Sequence, residues 1–426
     1  MIPYRKKILA NGLTVVANRD RTSKLAAVNM LYKVGARNEN PARTGFAHLF
    51  EHLMFRGTKA VPDFDLPVQM ASGDNNAFTN NDYTDFYITL PTANIETALW
   101  LESDRMGGLN ITSEKLETEK KVVIEEYRQR YLNQPYGDQT LLLRALTYKV
   151  HPYRWAAIGL TPDHIAEATL ADVETFYRAH YHPSNAILSI SADLDEERMI
   201  DLAEKWFGEL PDRPSTPAPI PQEPPQTEAR RQEVERDVPA TTVTVAYPMG
   251  GRTSADFYTA DLVSDLLSGG DSSRLYNRLV KERRLLSSVN AYITGDADPG
   301  LFIFTGQLLP ETTPEAAEAA FREEIGTLCR ECIPDYEMQK VKNKFEANTL
   351  FGELNVMNKA MNLGFYEMLG DLGLINREVE AYRAVTNDAV ADFCHRTFRP
   401  GSQDLVCRLL LEKKKGGGGG GGGGGG

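Results

Sequence analysis

An α+β fold of two duplicated domains, each a largely antiparallel sheet with helices packed on one face and the two facing each other across a cleft, is predicted by three observations. Strand-like and helix-like stretches alternate in both halves, with the strands at hairpin spacing. A proline- and charge-rich stretch, ELPDRPSTPAPIPQEPPQTEARRQEVERD at 209–237, interrupts the apolar periodicity and reads as an extended connector. An opening theme, MLYKVGAR at 30–37, returns as VAYPMGGR at 245–252, each an apolar strand ending in a small-residue turn and an arginine. The expected domains are therefore 1–208 and 238–415.

In the first half LAAVNMLYKVG reads as a strand and residues 42–56 and 94–106 as helices. NAFTNNDYTDFYITLP reads as a strand with Phe86, Ile88 and Leu90 on one face, and 113–131 as a long helix. HLFEHLMFRG at 48–57 aligns with DLVSDLLSGG at 261–270, placing Leu49 on Leu262, Leu53 on Leu266 and Gly57 on Gly270. Where the first copy has His48, Glu51 and His52, the second has Asp261, Ser264 and Asp265. The leucines serve the fold, and the histidines serve something else.

The chain has 426 residues, of which Gly416 to Gly426 are an unbroken glycine run, read as a tail that is not native structure. About 415 residues exceed one ordinary core and fit two domains. A hydrophobic share of 42% with 25% charged residues is that of a globular, soluble chain. A net charge of −12 excludes nucleic acid and an anionic membrane surface as main partners, which need clustered Lys and Arg. With no apolar run of membrane-spanning length, the expected location is cytoplasmic. Cys329, Cys332, Cys394 and Cys407 are too few for a disulfide framework, and the Cys329-x-x-Cys332 pair reads as two cysteines on a helix face.

His48 and His52 are four apart, so on a helix both imidazoles sit on one face and can meet a single cation, with Glu51 on the adjacent edge as a base. A zinc ion held this way lowers the pKa of its water to near 7, and a carboxylate beside it can take the proton during attack on a carbonyl. The order H-x-x-E-H inverts the common zinc-protease motif. A catalytic zinc needs a third protein ligand, and LETEKKVVIEEYRQR offers Glu119 and Glu126, two turns apart on one helical face, with Val122 and Val123 docking that face. Glu114, Glu117 and Glu125 compete for the role, and solvated helix charges are an equal reading of the segment. His180 and His182 in HYHPSNAIL read as structural, and GGDSSRL as a helix stop followed by a new N-cap rather than a phosphate loop.

The ordered motifs LANGLTVV, HLFEH, NAFTNNDYTDFY, EKKVVIEE, HYHPSNAILSISADLD and GGDSSRLYNRLVKE together resemble the M16 inverzincin metallopeptidases, the group of pitrilysin, insulin-degrading enzyme and mitochondrial processing peptidase, particularly its shorter bacterial members. The resemblance implies a zinc endopeptidase acting on short or unfolded peptides in a closed chamber. It implies one Zn2+ per chain with His48, His52 and Glu126 as ligands, Glu51 as the base that activates the metal-bound water, and Glu119 as the supporting acid. It also implies that Asn76, Ala77, Phe78 and Thr79 contact a peptide that adds alongside as a strand. Family members that act as a complete unit carry an Arg and a Tyr in the second copy. Here those positions are Val280 and Ser287, with Arg278, Arg283 and Arg284 nearby. The resemblance thus implies a second M16-like subunit, or a homodimer, that supplies the missing contacts. The alternative function is a non-catalytic scaffold or binding subunit of the same fold, and hydrolysis of a non-peptide bond is a third.

Overall fold

The computed structural model describes residues 1–213 and 218–398 and the backbone of 405–411. The glycine tail and residues 214–217 of the expected connector lie outside the described residues.

The first half holds strands β1 (Arg5–Ile8), β2 (Thr14–Arg19), β3 (Leu25–Tyr32), β4 (Asp74–Thr79), β5 (Thr84–Pro91) and β6 (Ala186–Ala192). Its helices are α1 (Phe46–Leu53), α2 (Asp65–Met70), α3 (Ile95–Gly107), α4 (Ser113–Tyr127), α5 (Gln139–Thr147), α6 (Pro162–Ala166), α7 (Leu170–His180) and α8 (Glu196–Phe207). The second half holds strands β7 (Arg230–Arg236), β8 (Thr242–Pro248), β9 (Leu286–Ile293), β10 (Leu301–Leu308) and β11 (Leu405–Leu411). Its helices are α9 (Phe257–Ser268), α10 (Pro314–Arg330), α11 (Asp335–Gly352), α12 (Val356–Met368), α13 (Glu378–Ala384) and α14 (Asn387–Thr397).

The duplication read from the sequence is present in the sheet order. The first sheet runs β1-β2-β6-β3-β5-β4 and the second β7-β11-β8-β10-β9, so β2 through β6 of the first map one for one onto the second. In both sheets the outer pair, β2·β6 and β7·β11, is parallel and the remaining mapped pairs are antiparallel. Two local expectations differ. Arg230–Arg236, inside the stretch read as a connector, is the edge strand β7. Among the described residues it pairs on one side only, which lets it carry a charged pattern that mimics a linker. NAFTNNDYTDFYITLP is also two strands, because the side-chain amide oxygen of Asn80 accepts from the backbone N–H groups of Asp82 (2.8 Å) and Tyr83 (2.9 Å) and turns the chain.

Alternation along the strands sends Val28, Met30, Phe86, Ile88 and Leu90 into a core shared with α1, α3 and α8. The opposite face is covered by a helix from the other half. Leu363 of α12 is fully buried against Val16, Leu31 and Ile187, and the Lys359 Nζ reaches Asp20 at 2.7 Å. The second half receives the reverse favour: Leu143 and Leu146 of α5 pack on Ala246, Leu301 and Ile303. A polar latch joins the halves as well. The Asp82 carboxylate, at the β4–β5 turn, accepts from the Ala297 N–H at 2.9 Å, and Arg37 bridges Asp82 (3.1 Å) and Asp298 (3.0 Å).

Because Leu363 belongs to the second half yet fills the core under the first sheet, Leu363→Ala is expected to lower the stability of the whole chain by about 2–5 kcal/mol. Denaturant unfolding followed by tryptophan fluorescence reads this, since all three tryptophans, Trp100, Trp155 and Trp206, lie in the first half. An unchanged midpoint there would show that α12 does not support that sheet.

Candidate metal centre

Helix α1 starts at Gly45, whose φ of +89° is a left-handed conformation that glycine adopts without steric cost. Glycine has no side chain to cap with, and the task falls to Glu39. One of its carboxylate oxygens accepts from the Gly45 N–H and the other from the Ala47 N–H, each at 2.9 Å. Burial pushes the Glu39 carboxyl up to about 8, against these two hydrogen bonds. The helix buries Phe46, Ala47, Leu49, Phe50 and Leu53. Its remaining edge, with His48, Glu51 and His52, is turned toward α4.

Helix α4 is capped by Thr112, whose hydroxyl accepts from the Lys115 N–H, and buries Leu116, Glu119, Lys120, Val123 and Tyr127. Of the two valines expected to dock this face, Val123 does so, whereas Val122 lies at its margin and is 42% exposed. The competing carboxylates turn elsewhere: Glu117 pairs with Lys120 at 2.7 Å and Glu125 with Arg128 at 3.6 Å. Glu126 reaches α1, with one oxygen 3.6 Å from His48 Nε2 and 3.6 Å from His52 Nε2. One donor atom from each of His48, His52 and Glu126 lies within 4.8 Å of the others. Ligands of a tetrahedral zinc about 2.1 Å from the ion stand roughly 3.4 Å apart, so the donor set and its spacing fit such an ion with little movement.

The surrounding charges favour that use. His52 Nδ1 donates to Glu119 Oε2 at 3.2 Å, leaving Nε2 toward Glu126. Glu119 is 1% exposed at its side chain and also meets Arg56 at 2.5 Å. Burial works against the charged form of His52, but the hydrogen bonds to Glu119 and Glu126 prevail and raise it to about 9. His48 goes the other way, to about 4, through burial and the neighbouring His52. Its Nδ1 is buried without a hydrogen-bond partner among the described residues, so only one of the two imidazoles has a carboxylate behind it. Glu126 is held below the usual range by its hydrogen bond to His52, and its other oxygen meets Arg130 at 3.4 Å.

The Glu51 carboxylate accepts from the Thr79 hydroxyl at 2.7 Å, and burial raises its pKa against that bond. Thr79, one of the four residues expected to contact substrate, touches Glu51 here, because Asn75, Ala77 and Thr79 alternate onto the α1 side of β4. Phe78 points to the opposite side, where its ring meets Tyr83 edge-on at 5.5 Å. Asn76 is exposed and its side-chain oxygen accepts from the Ala77 N–H at 2.8 Å. Among the described residues strand β4 is a free sheet edge. Since Asn80 N pairs with Tyr83 O, alternation along the hairpin turns the Ala77 backbone outward.

The other sequence candidates lie elsewhere. His182 Nδ1 pairs with Asp212 at 2.9 Å, and the His180 ring packs 4.6 Å from that of Phe176. In the second copy Val280 packs on its core, Ser287 donates to the Gln307 carbonyl at 3.2 Å, and Arg278 and Arg283 meet Glu324 and Glu323 of α10. Glu39, Arg56 and Arg130 were not anticipated. The only available signal was Gly45 standing where a capping side chain is usual.

Two outcomes follow. Glu119→Gln keeps the fold but lowers zinc affinity about 10–100-fold, read by competition with a chromophoric chelator. In the cation-free protein the raised His52 holds a proton that a cation must displace. Zinc affinity therefore climbs as the pH rises from about 6.5 toward 9 and flattens above it. The same shift stabilises the cation-free fold below the unfolded-state pKa, a contribution lost as the pH passes 9. An affinity independent of pH over that window would contradict the assignment.

Among the described residues no helix is long and apolar enough to cross a membrane. The family model described as insulinase (peptidase family M16) matches residues 14–153, and the model described as peptidase M16 inactive domain matches residues 167–345. The chain is 33% identical over 340 residues to zinc protease PqqE of Helicobacter pylori, covering 78% of this chain and 76% of that protein. A crystal structure of a protease from Helicobacter pylori superposes with a TM-score of 0.91 at 29% identity, over 96% of this chain and 100% of that one. The periplasmic protease PqqL from Escherichia coli shares the fold, with a TM-score of 0.79 at 17% identity, over 96% of this chain and 48% of that one. A duplicated α+β chain, a His-His-Glu cluster in its first half and these likenesses have one common meaning: the chain belongs to the insulinase, or M16, peptidase family.

Proposed function

We propose that this chain is the metal-bearing subunit of a zinc endopeptidase that cleaves short or unfolded peptides. The observation that carries the reading is the meeting of His48, His52 and Glu126 from two helices beside Glu51 and a free strand edge. A zinc ion bound by His48, His52 and Glu126 would polarise the scissile carbonyl and acidify a water molecule. Glu51 takes a proton from the attacking water on its carboxylate and passes it to the departing amine. Burial and the Thr79 hydroxyl hold that carboxylate in place.

The peptide pairs as a strand along β4, where the Ala77 N–H and C=O face outward. The Asn76 side chain, which covers that N–H, is displaced as the peptide arrives. Glu119 fixes the His52 ring rather than touching substrate.

A second subunit of the same fold completes the chamber and grips the leaving side of the substrate. Two observations support it: Val280 and Ser287 offer no such grip, and this fold spans about half the length of PqqL. The non-catalytic reading has the same absent contacts in its favour, but it leaves the convergence of three ligand side chains without a purpose.

A quenched-fluorescent peptide assay separates the readings. Glu51→Gln is expected to retain stoichiometric zinc while turnover falls about 10²–10⁴-fold, and the wild-type chain gains turnover when mixed with the partner subunit. Full turnover by the isolated chain would remove the need for a partner, and absence of zinc from the purified protein would leave the scaffold reading.

A further inference from the structure

The Cys329-x-x-Cys332 pair has no part in the metal centre, and the fold separates its members. Cys332, just beyond α10, lies with its sulfur 3.4 Å from Asn387 Nδ2 and 3.8 Å from the Ile333 carbonyl. Cys329, one residue before the end of α10, instead meets Cys394 of α14, thiol against thiol. Both line a cavity of about 300 Å³ together with Arg330, His395 and Phe398. Cys394 is fully buried, whereas Cys329 is partly exposed.

A reachable thiol with basic neighbours, backed by a second thiol that solvent does not reach, is the arrangement of an attacking and a resolving cysteine. We propose that Cys329 and Cys394 form an oxidisable dithiol, converted to a disulfide by small carboxylate-bearing disulfides that enter this cavity. Arg330 supplies the positive charge that such anions require, and the His395 ring lines the same cavity. The two thiols are also electronically unlike. The hydrogen bond from Cys394, helped by Arg330, lowers the Cys329 thiol, while the same contact and burial raise that of Cys394.

The Cys329 thiolate attacks one sulfur of the incoming disulfide, forming a mixed disulfide and expelling one thiolate. Cys394 then attacks the Cys329 sulfur and expels the second thiolate. The two protein thiols lose two electrons, the small disulfide gains them, and the protons of Cys329 and Cys394 end on the two thiols released. The product ties α10 to α14.

The test is non-reducing peptide mapping of the full chain after incubation with oxidised glutathione. The expected product is a Cys329–Cys394 cross-link, accompanied by a rise of several degrees in the unfolding midpoint that a reductant reverses. Cys394→Ser is expected to stop at glutathione retained on Cys329, and Cys329→Ser to leave Cys394 unmodified. The wild-type map is decisive even where a variant folds poorly. Glutathione persisting on Cys329 of the wild type, a bridge to Cys332 or Cys407 in place of Cys394, or an unmodified Cys329 would each overturn the proposal.

Discussion

The docking of α1 is the constraint on which the site depends. Its apolar residues, Leu49, Phe50 and Leu53, are fully buried against the first sheet, and this sets the rotation of the helix about its axis. With that rotation set, His48, Glu51 and His52 have one direction left to face, toward α4 and β4. Three buried aliphatic and aromatic side chains contribute several kcal/mol by burial, enough to hold polar groups where they would not gather by themselves. Glu39 adds to this by accepting from two of the open N–H groups at the start of the helix, which gives α1 a defined end as well as a defined face.

The partnership of the carboxylates with the imidazoles is the second layer. Glu119 is nearly inaccessible, and a buried carboxylate without partners would be strongly unfavourable. It is tolerated because His52 and Arg56 both meet it. Glu126 is more exposed and has Arg130 on its far oxygen, so its near oxygen is left to the two imidazoles. The two glutamates on one helical face thus do different work, one orienting a ring and the other presenting an oxygen.

Much of this could be read from the residues alone, and the reasons are specific. The duplication showed because Leu49 and Leu53 recur as Leu262 and Leu266, and helix periodicity survives when surface chemistry does not. His48 and His52 were readable because i, i+4 spacing has a single geometric meaning on a helix. Choosing between Glu114, Glu117, Glu125 and Glu126 by spacing was not possible, since all sit on one helix of about four turns and only the packing of Val123 selects the face. The contact of Thr79 with Glu51 was not legible, because it depends on which side of β4 each residue takes, and the Asn80 turn that starts the hairpin was hidden inside what read as one strand. The edge strand β7 was missed for a related reason: paired on one side only, it keeps the charged composition of a connector.

The exchange of helices between the halves has a consequence for how the molecule comes apart. Helix α12 is lodged beneath the first sheet and α5 beneath the second, so each half lacks part of its own lining without the other. Severing the backbone in the connector would therefore not yield two autonomous pieces. The fragments would clasp one another as a noncovalent whole, and either one made by itself would display a bare sheet surface seeking a substitute.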